Sequence, residues 1–237
     1  MEKRVRKTKL SNIILAILVA AVMFIIGLCL GNQQIKPNEN LEALPAPELS
    51  EGMRGEQFGI DKNINESTID NYLGRSDSVY RDMRMLKDPA NYEAIDGDSY
   101  LSGFVKGFEV VPYPYLVNVT GLPEAVGKSY TGDTLFTLND KGEYTANYQE
   151  SMQILEGLFP KDKNIFLMCG GGGYAGQTKA MLTALGWDEN KIYNVGGYWY
   201  YEGKNDVKVK NEKNGHTTYD FWKIPYHDII FKVLHKK

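Results

Sequence analysis

One thiol and the glycines behind it are the residues best suited to chemistry in this chain. Residues 164–186 read NIFLMCGGGGYAGQTKAMLTALG: an apolar run, then Cys169, then Gly170, Gly171, Gly172 and Gly173, then a helical pattern from Tyr174. A strand end, a glycine-rich turn and a helix N-terminus together form an anion site, because successive backbone N–H groups point inward and the helix dipole adds partial positive charge. Glycines let that backbone close around a small group without Cβ obstruction. A cysteine at the mouth of such a turn is expected to ionise below the ordinary thiol value of about 8.5. Its thiolate would then attack sulfur or phosphorus and carry a covalent intermediate.

Three chemistries compete for this loop. A nucleotide P-loop requires GxxxxGK[ST]; residues 171–178 read GGGYAGQT, with Gln177 where the lysine belongs. A cysteine phosphatase requires an arginine closing the loop to grip phosphate bidentately, and residues 170–177 contain none. A sulfur carrier requires only a thiolate, a ring of N–H donors and access. Against all three stands the plain reading of Cys169 as a small core hydrophobe. Four glycines in a row, costly to order, argue that the backbone path matters.

The elements that must position this loop follow from hydrophobic periodicity. The five apolar or near-apolar residues before Cys169 predict a buried parallel strand. The helix after the loop turns Ala175, Thr178, Met181, Leu182 and Leu185 inward and stops at Gly186. Upstream, SVYRDMRML (78–86) alternates as a strand, and Tyr148, Met152, Leu155 and Phe159 keep helical spacing ahead of Pro160. Ser67 is a candidate helix cap with Ile69, Tyr72 and Leu73 on one face. DPANYEAI reads as a short helix or turn, residues 104–119 as β-rich chain broken by Pro112 and Pro114, and residues 131–145 as a hairpin turning at Asn139–Gly142. KIYNV (191–195) is a further apolar strand. The alternation implies an α/β fold whose central parallel sheet is flanked by helices.

The ends of the chain differ from its middle. Of 237 residues, 27 are Lys or Arg and 30 are Asp or Glu, a net charge of −3. Residues 1–9 hold five basic groups against Glu2, or +4, so the remainder carries −7. No basic patch of the kind that binds nucleic acid is present. Residues 13–31 are apolar, a span of about 28 Å as a helix and close to a bilayer core. This predicts a basic cytoplasmic tail (1–10), one transmembrane helix (11–31), a polar flexible linker (32–62), a domain (63–204) outside the cytoplasm and a C-terminal extension (205–237) packed on it. The protein is thus expected in the cell membrane as a single-pass chain. A cleaved signal peptide is the rival reading, and a lipoprotein at Cys29 a third. Outside the apolar span Cys169 is the sole cysteine, so a structural disulfide is unavailable to it. His216, His227 and His235 lack ligand spacing; neither a metal site nor a cofactor is expected.

Four blocks in order resemble the rhodanese family over residues 64–204. VYRDMR ends in Asp-x-Arg at Asp82 and Arg84. SGFVKGFEVVP matches the family's Gly-His-Ile-Pro-Gly-Ala block at Gly103, Val105, Gly107 and Pro112, with Phe104 in the histidine position. The Cys169 loop and its helix form the third block, and KIYNVGGYW, with Gly196 and Gly197, the fourth. The resemblance implies a rhodanese-like fold in which Cys169 accepts a sulfane sulfur as a persulfide and passes it to a thiol acceptor, cradled by Gly170, Gly171, Gly172, Gly173, Tyr174 and Ala175. Tyr174 and Ala175 occupy the end of the loop where many rhodaneses place an arginine. No side-chain cation in the loop therefore meets a doubly charged donor such as thiosulfate. Asp82 and Arg84 read as a structural ion pair, with a catalytic role as the alternative. Residues 198–201 read as core and rim packing, or else as a wall of the thiol pocket. The competing functional reading is a catalytically silent rhodanese-like module that binds a partner at the membrane's outer face.

Overall fold

The computed structural model describes residues 35–39, 41–86, 102–118, 130 and 132–237. Among these no helix is long and apolar enough to cross a membrane. The basic tail and the apolar span of residues 11–31 lie outside the described residues, as does the short helix or turn expected at 88–95.

In chain order the elements are α1 (Met53–Phe58), β1 (Ser78–Asp82), β2 (Gly103–Val105), β3 (Glu109–Val110), α2 (Tyr113–Leu116), β4 (Phe136–Leu138), β5 (Tyr144–Ala146), α3 (Ser151–Leu158), β6 (Asn164–Cys169), α4 (Gly173–Ala184), β7 (Ile192–Gly197), β8 (Asp206–Lys208), β9 (Lys210–Lys213) and β10 (His216–Tyr219). The central sheet is parallel and has four strands in the order β3-β1-β6-β7. β6 is interior to it and buried on both faces, as an apolar parallel strand should be. Its side chains alternate between two cores. Ile165, Leu167 and Cys169 join Met181 and Leu182 of α4 on one face. Phe166 and Met168 point to the other, where Phe166 stacks between Tyr80 and Tyr193 with ring centroids 5.1 Å and 5.0 Å away.

Several local expectations change in the folded chain. The helix expected from Ser67 is only a single 3-10 turn at Ile69–Asn71. Side chains compete for its backbone: Asn65 Oδ1 accepts from the Ser67 amide, and the Thr68 hydroxyl donates to Asn63 O. The β-rich stretch divides into β2 and β3 and then turns into α2, where Pro114 is tolerated in a first helical turn that has no N–H to give up. The strand from Ser78 ends at Asp82, although Met83 to Leu86 stay buried. The hairpin β4–β5 forms as the sequence suggested, with Asn139 Oδ1 accepting from the amides of Lys141 and Glu143.

Residues 44–62 lie against the domain, although their composition reads as linker. Tyr193 donates to Pro45 O at 2.8 Å, Asn194 Nδ2 to Phe58 O at 2.7 Å, and the Asp61 amide to Asn194 O at 2.8 Å. Asp61, 3% exposed, accepts from the amides of Glu48, Asn63 and Ile64 and so closes the segment on itself. Few apolar side chains are needed for such a contact, because backbone groups make most of it. Beyond the sheet, β8 pairs with β2, and the bridge between Val110 and Tyr226 lays the C-terminal segment beside β3.

Candidate functional site

β6 ends at Cys169 and α4 begins at Gly173, so the glycine loop crosses the C-terminal edge of the sheet. Gly172 adopts φ 109°, a left-handed conformation that turns its amide back toward the strand. That amide donates to Cys169 Sγ at 3.1 Å. The amides of Ala175 and Gly171 also favour the ionised form of the sulfur. The backbone N–H groups of the loop and the first helical turn thus all favour charge on one atom.

Close approaches explain why these positions carry no side chains. A Cβ on Gly170 would lie 2.5 Å from Cζ2 of Trp199, and one on Gly176 only 2.2 Å from Phe58 O. A Cβ on Gly172 would press on Ile60 at 3.1 Å. The Trp199 indole therefore covers the first half of the loop, and α1 with the chain after it covers the second. The aromatic run 198–201 divides accordingly: Tyr198 and Tyr201 are buried, while Trp199 and Tyr200 form the rim. Tyr113 completes the far wall, its ring tilted 31° against that of Tyr174 at 4.9 Å and its hydroxyl donating to Gln177 Oε1.

The cover reverses the expected acidity of the thiol. Cys169 is 3% exposed. Burial pushes its pKa up, against the amides of Ala175 and Gly172, which pull it down; the Asp82 charge pushes it further up. Loss of water outweighs the amide dipoles, and the resting sulfur is a neutral thiol at pH 7. Alkylation of Cys169 by iodoacetamide, followed by peptide mapping, should titrate above the value of about 8.5 for a free thiol in an unfolded control. A midpoint below that control would contradict the closed site.

A cation reaches the loop from outside it. Arg54, on α1, places Nη1 3.5 Å from Gly171 O, 117 residues away in sequence. Its guanidinium lies 3.9 Å above the Tyr200 ring and pairs with Glu66. Glu66 in turn accepts from the Gly197 amide at 3.2 Å. No motif spacing points to Arg54; the clue available was a short Gly-bounded segment, G-MRGEQF-G, inside an otherwise featureless linker. No family model, no curated protein and no solved structure matches this chain. The geometry must therefore carry the functional argument.

Asp82 and Arg84 form a bidentate pair, Nε to Oδ1 at 3.0 Å and Nη2 to Oδ2 at 2.5 Å, with exposures of 0% and 1%. Arg84 also donates to Gly103 O and lies under the Tyr198 ring. The pair is thus spent on itself and on backbone, with the Asp82 charge felt at the sulfur only as a push upward on its pKa. Gly196 holds φ 97°, and the Cα of Gly197 abuts Gly170 O, which lets the β7 turn nest against the loop. His227 bonds to Glu109 and His235 to Glu150, both away from the thiol. Among the described residues no group of three or more His, Cys, Asp or Glu side chains is placed to hold a metal.

Proposed function

We propose that the protein is a membrane-anchored, rhodanese-like sulfurtransferase that moves a sulfane sulfur through a persulfide on Cys169. The observation that carries this reading is the hydrogen bond from the Gly172 amide to Sγ at 3.1 Å, with the Ala175 and Gly171 amides also favouring charge on that atom, an arrangement that a mere core hydrophobe does not need. The four sequence blocks, in order along a central parallel sheet, support it, as does Cys169 standing free, the sole cysteine among the described residues.

The chemistry is two displacements. After the thiol gives its proton to solvent, Cys169 Sγ attacks the sulfane sulfur of a donor such as inorganic polysulfide. An S–S bond forms to Cys169, the donor's own bond to that sulfur breaks, and the electron pair leaves with the shortened donor. An acceptor thiolate then attacks the outer sulfur of the persulfide, and Cys169 departs as thiolate. Amide donors steady the negative sulfur in both steps. Arg54, one-third exposed and 3.5 Å from Gly171 O, offers an incoming anion a cation at the loop. Because Cys169 is 3% exposed, part of the packing around it must move for the donor to enter.

A second reading has its own support: the closed, 3% exposed thiol suits a silent module that binds a partner. Intact mass after incubation with polysulfide separates the two. Sulfur transfer gives a +32 adduct that maps to Cys169 and disappears in Cys169→Ser. Absence of the adduct with every donor, beside a thiol inert to alkylation, favours the binding module.

A further inference from the structure

The anchored reading gives a tether of 31 residues, 32–62, which fully extended would let the domain range about 100 Å from the bilayer. The folded chain removes nearly all of that freedom. The Asn38 amide donates to Gly74 O at 2.9 Å, and Asn38 bridges to Arg75. Ile35 packs on the core formed by Phe108, Phe166 and Tyr193. A Cβ on Gly74 would lie 2.5 Å from Lys36 O, and one on Gly107 3.1 Å from Ile35 Cγ1. The chain is therefore fixed to the domain from Ile35 onward. Four residue steps separate Ile35 from Gly31, the last residue of the apolar span, a reach of at most about 14 Å.

Where that pin sits decides what faces the membrane. Ile35 belongs to the core that receives Phe166 and Met168, the even face of β6, whereas Cys169 belongs to the odd face. Gly74 precedes β1, whose Ser78 is level with Asn164 at the start of β6, so the pin at Gly74 lies at the N-terminal edge of the parallel sheet, and Cys169 ends β6 at the C-terminal edge. Pin and sulfur thus occupy opposite faces and opposite edges. A domain held within about 14 Å of a plane at its Ile35 end turns the far end of the sheet, where β6 closes at Cys169, away from that plane.

We propose that the domain stands on the bilayer by its Ile35 end and presents the Cys169 loop away from it, so that the donor and acceptor of sulfur are water-soluble and not dissolved in the lipid. The inference rests on the anchored sulfurtransferase reading and narrows its substrate class.

Depth and chemistry are measured on the full chain in lipid vesicles. In a Cys29→Ser/Cys169→Ser background, a donor fluorophore is attached through Lys36→Cys or through Met53→Cys; both positions are exposed, and the second neighbours Arg54 at the loop. Energy transfer to a headgroup-labelled lipid should be at least about twofold more efficient from position 36 than from position 53. Equal transfer, or stronger transfer from position 53, overturns the orientation while leaving the anchor intact. A chain that fails to float with the vesicles overturns the anchor, and the orientation with it. In the wild-type chain, inorganic polysulfide should add +32 to Cys169, and a long-chain alkyl hydropersulfide confined to the bilayer, whose terminal sulfur passes to Cys169 as the alkanethiolate leaves, should add at least tenfold less. Equal loading by the lipid-confined donor overturns the assignment of soluble partners. Loading by neither overturns the sulfur chemistry and that assignment together, whatever the depth measurement shows.

Discussion

Arg84→Met, with Asp82 left in place, is expected to destabilise the protein by about 3–5 kcal/mol, because it strands a carboxylate inside the fold. Asp82 is fully buried and accepts from the Arg84 amide, Nε and Nη2. Without the guanidinium the carboxylate must stay charged in a dry site or take up a proton, and Gly103 O loses a donor as well. At a urea slope of about 2 kcal/mol per M the unfolding midpoint should fall by roughly 1.5–2.5 M. Removing both charges with Asp82→Leu and Arg84→Met should recover most of the loss, since the cost lies in the unpaired charge and not in the absence of a favourable pair. A single substitution costing under about 1 kcal/mol would show that water reaches the pair.

The pair also marks where sequence reading works well. Asp82-x-Arg84 sits at the end of an alternating strand, and two opposite charges two residues apart beyond a strand end can fold back on each other. The strand, loop and helix around Cys169 were legible for a similar reason. An apolar run, a glycine run and a 3.6-residue period are each local, and local signals survive in a linear sequence. The hairpin at Asn139–Gly142 was legible because its turn is built by one asparagine within four residues.

What stayed hidden depends on distant contacts. Residues 44–62 look like linker because they are polar and aperiodic, yet they dock through backbone groups and one buried aspartate. Backbone hydrogen bonds leave no mark on side-chain composition. The same segment delivers Arg54 to a loop whose own sequence lacks a cation. The sign of the thiol's pKa shift was missed for a related reason. Amide dipoles are readable from the glycine loop, but the exclusion of water from the folded site is not, and here exclusion outweighs the dipoles. A closed thiol bonded by the Gly172 amide, with two further amides that favour its charge, differs from an inert core cysteine in what happens when the cover lifts. The amides are then already in place around the charge that forms, and no rearrangement of the loop is needed at that moment.

That preorganisation makes Gly197 the most sensitive position near the sulfur. Its backbone is ordinary extended chain at φ −137°, so conformational strain is not at issue. Space is. A Cβ there would lie 2.0 Å from Gly170 O and 2.6 Å from both Gly170 C and Gly171 Cα, all of them backbone atoms with no rotamer to move. Gly197→Ala must therefore push the loop off β7 and carry the Gly171 and Gly172 amides away from Sγ. Overpacking of this kind costs about 1–3 kcal/mol, which a domain of ordinary stability survives. The rate of persulfide formation on Cys169 should fall by at least about tenfold, since one lost amide donor is worth a hundredfold or more at an oxyanion. Gly186→Ala is the matched control: φ 94° makes it strained, but nothing lies within 4 Å of the added carbon. It should cost about 1–2 kcal/mol of stability and leave the rate unchanged. If Gly197→Ala loads sulfur as fast as Gly186→Ala, the amides around Cys169 are packing and not machinery, and the silent binding module becomes the better account of the site.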